Sequence, residues 1–146
     1  MADALLDELS RAECIELLAS CPIGRIGAVV DGAPLVLPVN YRWIPDERTP
    51  YIAIRTRPDN VIDRAGPTVA FEIDGVDPYH QVGWSVLVRG SLHHVMNATL
   101  ARDVLDPHSW LQTDRDSWLV IEPETITGRR LRAVDIEWAF HWRGYL

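Results

Sequence analysis

Apolar residues recur at helical spacing only near the start of this chain; from Ile26 onward they alternate with polar residues or run in short β-branched stretches. Leu5, Leu6 and Leu9 can line one helical face within residues 1–9. Ser10 followed by Glu13 matches a capping box, in which hydroxyl and carboxylate each satisfy a backbone amide. Ile15, Leu18 and Ala19 then continue at helical spacing, which predicts a helix over about 10–20, closed by Pro22 and Gly24. So short a helix is marginal alone and is expected to pack on a sheet.

The period then changes. Strands are predicted at Ile26–Val30 and Leu35–Tyr41, separated by Asp31-Gly32, a strong hairpin signal because a primed turn needs positive φ. Pro38 cannot donate to a ladder and marks an edge, a bulge or a close approach. A third strand is expected at Tyr51–Thr56, a short helix from near Pro58 to Gly66, and a fourth strand at Thr68–Ile73. Asp74–His80 reads as a polar loop. Gly83–Val95 reads as one long strand with Gly90 at a bulge or bend. A helix capped by Asn97 is expected to Leu105, then a loop over 106–115, a sixth strand at Ser117–Pro123 and a seventh at Ile126–Ala133. The aromatic tail, 134–146, is expected to dock on the body or on a partner subunit. Hairpin spacing with few crossover helices predicts a mainly β, mostly antiparallel sheet, closed or half closed, in a single domain over 1–146.

Composition narrows the function. The formal net charge of -7 opposes nucleic acid as the main partner, since phosphate contacts need a basic surface. No stretch reads as a membrane span and the acidic start does not read as a signal peptide. Cys14 and Cys21 read as ordinary reduced thiols, so a cytoplasmic location is expected. His93 and His94 point to opposite faces of a strand, and no zinc motif accompanies the five histidines, so no metal is expected.

Several strings, in this order and spacing, carry a resemblance: PVNY at 38–41, IRT at 54–56, VAFEI at 69–73, GWSVLVRG at 83–90 and ITGRRL at 126–131, preceded by a helix ending in CPIGRIG. The chain resembles the pyridoxamine 5'-phosphate oxidase-like, FMN-binding split-barrel family over roughly residues 10 to 133. The resemblance implies a six- or seven-stranded antiparallel split β-barrel with short flanking helices, and a homodimer with its cofactor clefts between subunits. It implies FMN, with a deazaflavin coenzyme, haem or no cofactor as alternatives found among relatives.

The same resemblance distributes roles. Arg55, Thr56 and Arg57, beside the start of a short helix, suit a phosphate, because guanidinium groups and first-turn amides are donors. Val39, Asn40 and Tyr41 match the strand that flanks the flavin ring, and Trp84 and Ser85 match positions near the cofactor. Arg129 and Arg130 lie in a segment that approaches the cleft, sometimes from the neighbouring subunit. Relatives often carry a lysine where this chain has Asn60. No catalytic acid or base is expected. The implied function is an FMN- or deazaflavin-dependent oxidoreductase that passes a hydride to or from a small organic substrate. The alternative is a non-enzymatic dimer that stores flavin, binds haem or has lost its cofactor.

Overall fold

The computed structural model describes residues 6–95 and 117–132. The expected helix at 97–105, the loop at 106–115 and the aromatic tail at 134–146 lie outside these residues.

Ser10 and Glu13 form the expected capping box, with Glu13 N–H donating to Ser10 Oγ at 3.1 Å and Ser10 N–H to Glu13 Oε2 at 2.7 Å. Helix α1, Arg11–Ser20, buries Cys14 and Leu18. Residues just before it are not helical. Leu6–Glu8 form a short strand, β1, against Leu131–Arg129 at the far end of the chain. Local spacing had pointed to a helical face there; a partner more than a hundred residues away decides the matter instead.

Strand β2, Ile23–Val30, alternates cleanly, with Gly24, Ile26, Ala28 and Val30 inward. It turns at Asp31 and Gly32, whose φ angles of 50° and 80° are those of a primed turn. Strand β3, Ala33–Ile44, pairs with β2 up to Asn40 and passes to β4, Tyr51–Thr56, from Tyr41 onward. Pro38 falls in the part of β3 that β4 does not reach. The helix expected over 57–66 shrinks to one 3-10 turn, Val61–Arg64. Strand β5, Thr68–Asp77, and strand β6, Val82–His94, form a long hairpin, so the loop expected at 74–80 narrows to a tight turn.

The sixth and seventh strands expected from sequence are one strand, β7, Ser117–Leu131. A bulge opposite Gly90 absorbs one residue: Gly90 pairs with Pro123, and Arg89 with Thr125. A Cβ at Gly90 would collide with the Glu122 carbonyl, so glycine permits this approach.

All pairings are antiparallel, in the order β1-β7-β4-β3-β2-β5-β6, and β6 pairs with β7 to close the ring. The inward faces of five strands fill the barrel with Ile26, Ile52, Ile54, Phe71, Val86, Val88, Leu119 and Ile121, all fully buried. Tyr41 packs edge-on against Phe71 at 4.7 Å. Helix α1 caps one opening, where the Tyr41 hydroxyl donates to the Leu18 carbonyl at 2.7 Å.

Candidate functional site

Strand β4 alternates Ile52, Ile54 and Thr56 inward with Ala53 and Arg55 outward. The outward pair meets β7, with Arg55 opposite Trp118. Trp118 and Ala53 form a small apolar cluster outside the main core, with Ile44, Val95 and Val120 against it. The Arg55 guanidinium lies over the Trp118 ring, 5.3 Å from its centroid, a cation–π arrangement. Thr56 is buried, and its hydroxyl reaches the Arg57 carbonyl at 3.4 Å. Arg57 is exposed on the loop that follows. Asn60 ends this loop as a cap: its side-chain oxygen accepts from Ile62 N–H at 3.2 Å.

The β3 residues approach the same end. The β3–β4 ladder begins at Tyr41 and Ile54, and its register carried one step further sets Asn40 opposite Arg55. Asn40 Nδ2 donates to the Pro22 carbonyl at 3.4 Å, and Val39 packs partly against the core. Tyr41 is committed to the interior; burial raises its pKa beyond the usual phenol range and keeps the hydroxyl a neutral donor to Leu18.

Trp84, Ser85 and Arg129 lie elsewhere. Trp84 pairs with Arg130 and Ser85 with Arg129, near the end of β7. Along β7, twelve residues separate Arg130 from Trp118, about 40 Å of strand at ~3.3 Å per residue. Trp84 lines an open concavity of about 500 Å³ there, with Gly75, Val76, Arg130 and Arg132. Arg130 stands 3.7 Å from Glu13, and Arg132 holds Asp7 at 2.7 Å. The structure therefore gathers Arg55, Thr56, Arg57 and Asn60 about the end of β4, sets Val39 and Asn40 on β3 beside the residues that follow α1, and carries Trp84, Ser85 and Arg129 toward the end of β7.

A model of the family described as pyridoxamine 5'-phosphate oxidase matches residues 10–130, nearly the whole barrel. The chain belongs to this family. Pyridoxamine 5'-phosphate oxidase-like proteins form a flavin-binding split-barrel superfamily, and the ring-like antiparallel sheet is its architecture. An uncharacterized protein of Mycobacterium tuberculosis is 34% identical over 86% of each chain. A solved FAD-binding protein from Mycobacterium smegmatis is 31% identical, with a TM-score of 0.64 over 87% of this chain and 99% of that one. A solved conserved protein of unknown function from Corynebacterium diphtheriae is 25% identical, with a TM-score of 0.72 over 86% and 98%.

The donor set at the end of β4 suits a flavin's phosphate. Arg55 lies in β4 and Arg57 follows two positions later, on the loop that leads to the turn at Val61–Arg64. Asn60 brings no cation to this loop, and its side-chain oxygen is engaged in the cap. Among the described residues, no three His, Cys, Asp or Glu side chains gather as metal ligands would, and no helix is long and apolar enough to cross a membrane.

Sequence reasoning passed over a second set of polar groups at this end. Ser117 Oγ donates to Asp63 Oδ1 at 3.2 Å, and His94 Nε2 lies 3.6 Å from the same oxygen. Beside them Trp118 Nε1 is buried with no acceptor among the described residues. Three distant segments meet here, so no local motif announces them. The available signal was Ser117-Trp118 leading an apolar strand.

Proposed function

We propose that this chain is a flavin-dependent oxidoreductase that works as a homodimer on a small organic substrate. In this reading Arg55, Thr56 and Arg57 hold the flavin's phosphate, with Thr56 contributing through its backbone because its hydroxyl is turned inward. Val39 and Asn40 flank the ring, Tyr41 fixes the strand beneath them, and Asn60 orders the phosphate loop. Trp84, Ser85 and Arg129 complete the cleft from the second copy, since their own copy carries them at the other end of β7. The observation that carries the reading is the paired arginines at the end of β4 in a chain of a flavin-binding family.

When bound, the flavin supplies the hydride chemistry, and the protein supplies position and polarity. Arg55 and Arg57 offset the phosphate charge. Asn40, an amide with both donor and acceptor, can meet the ring's polar edge. The apolar strand around it limits water. The Mycobacterium smegmatis relative, an FAD-binding protein, weighs toward FAD where the resemblance alone implied FMN. A cytoplasmic setting accords with the free thiols of Cys14 and Cys21.

Asn60 favours a second reading, a split-barrel dimer that stores flavin, binds haem or carries no cofactor. Absorbance near about 450 nm in the purified protein, with titration of FMN and FAD, tests the first reading. Bound flavin that NADPH or another donor reduces, in a dimer by sedimentation, is expected. A colourless 16.5 kDa monomer that ignores both flavins would overturn it. Bound flavin that no donor reduces would favour storage.

A further inference from the structure

We propose that the aromatic tail, 134–146, docks in the concavity at the end of β7 of its own copy, with Trp138 and Phe140 against the Trp84 ring. The inference departs from the flavin reading at Trp84 alone and does not need it.

The concavity, about 500 Å³, lies between the end of the β5–β6 hairpin and the end of β7. Two cross-strand rows make most of its wall. Gly75, Trp84 and Arg130 stand opposite one another, and Asp77, Val82 and Arg132 lie two positions further out on the same strands. Alternation puts both rows on the face that is the barrel interior further along, where Phe71, Ile73, Val86 and Val88 are buried. The inner face of the sheet thus continues past the core and opens to solvent. Its apolar part is Trp84 and Val82.

Glycine sets the shape of this wall. A Cβ on Gly75 would lie 2.6 Å from Trp84 Nε1 and 2.8 Å from Cζ2, so the indole lies across the bare backbone of the neighbouring strand. A ring laid flat in this way offers a broad platform to other rings, which stack offset or meet it edge-on.

The occupant follows from where the chain leaves the barrel. Leu131 and Arg132 are themselves on the wall, and the tail begins two residues after Arg132. Trp138 is six residues beyond Arg132, about 20 Å if extended, which suffices to turn back onto this wall. Ile136, Trp138, Phe140 and Trp142 alternate with Asp135, Glu137, Ala139 and His141. That pattern gives a segment one apolar side, and such a side calls for a surface to cover it. A short tether also makes the docking intramolecular, at an effective concentration of about millimolar or above, an advantage that no free ligand shares. Ser85 and Arg129 alternate to the opposite face, so a docked tail leaves them to the flavin cleft.

The test uses the full chain, isotope-labelled, with the Trp84 indole resonance assigned through Trp84→Phe. Nuclear Overhauser contacts from the Trp138 and Phe140 rings to the Trp84 ring and the Val82 methyls are expected. A sample mixed from labelled and unlabelled chains tells contacts within a copy from contacts between copies. Val82→Asp is expected to release the tail, with chymotryptic cleavage after Trp138 or Phe140 about tenfold faster. Trp138→Ser with Phe140→Ser leaves the barrel untouched and decides the matter if Val82→Asp does not fold; it is expected to shift the Trp84 indole resonance. Absent contacts, contacts only between copies, equal cleavage in Val82→Asp, or an unmoved Trp84 resonance would each overturn the proposal. So would added flavin that displaces the tail from Trp84, an outcome that keeps the flavin reading. A chain that takes up no flavin yet shows the contacts supports the docked tail and removes the flavin reading.

Discussion

At the start of β7, Trp118 is buried with its N–H unmatched among the described residues, Arg55 lies across its face, and Ser117 and His94 both address one oxygen of Asp63. At the end of the same strand, Arg130 and Arg132 face Glu13 and Asp7, Arg129 pairs with Glu8 on β1, and Gly128 packs under Cys14 and Leu9. One end leaves polar capacity unspent. The other uses its charges to fasten the first residues of the chain. Each part of this contrast follows from which neighbours β7 meets: a loop and strand ends at its start, β1 and α1 at its finish. It also separates two kinds of experiment, since changes to the unspent groups at the start should show in ligand binding and changes where β1 and α1 pack on the finish should show in stability.

The largest expected effect tests the finish. A Cβ on Gly128 would lie 2.6 Å from Cys14 Sγ and 3.0 Å from Leu9 Cδ1. Gly128→Val is expected to cost about 3 kcal/mol in urea unfolding by overpacking, with flavin affinity per folded molecule unchanged. A normal midpoint would show that this end is looser than described.

Next, Arg55→Ala with Arg57→Ala is expected to weaken flavin about a hundredfold, or ~2.7 kcal/mol, with a small change in stability. Mixing this variant with Arg129→Ala sharpens the contrast. If each cleft takes one end from each copy, random re-pairing restores about a quarter of the sites. No recovery in flavin absorbance would mean that the two ends never share a cleft.

Asn60→Lys asks how far the start is tuned for an anion. A restored cation is expected to tighten flavin about tenfold, or ~1.4 kcal/mol, by fluorescence titration, while loss of the cap costs about 1 kcal/mol of stability. Tightening without destabilisation would mean that the Asn60 cap contributes little. Ser10→Ala removes the capping box that orients α1 over the finish, and a loss of about 1 kcal/mol is expected by denaturation. Smallest of all, Arg132→Ala breaks an exposed pair with Asp7 and should change the unfolding free energy by no more than about 0.5 kcal/mol.

What local chemistry controls was readable in advance. Ser10 and Glu13 announced α1, Asp31-Gly32 announced the first hairpin, and Gly90 within an apolar strand announced a bulge or bend. Features that need a distant partner were not readable. Leu6–Glu8 are a strand only because the end of β7 offers an edge. The helix expected over 57–66 is held to one turn by the Asn60 cap at its start and by the Val30–Ala65 bridge at its end. At the site, sequence found the arginines of β4, which follow from residue type and resemblance. It missed Asp63, His94 and Trp118, which become neighbours only when the barrel closes through β4–β7 and β6–β7 pairing.

The bulge opposite Gly90 carries a consequence for how this chain can vary. Before it, odd-numbered residues of β7 face the core, namely Leu119 and Ile121; after it, even-numbered ones do, namely Ile126 and Gly128. The strand is written in two reading frames joined at Glu124. Removing that one residue would join Pro123 to Thr125 in a regular ladder and leave Ile126 and Gly128 inward and Thr125 and Thr127 outward. The length of β7 can therefore shrink by one residue at Glu124 with inside and outside kept, because the bulge already holds that residue out of the alternation.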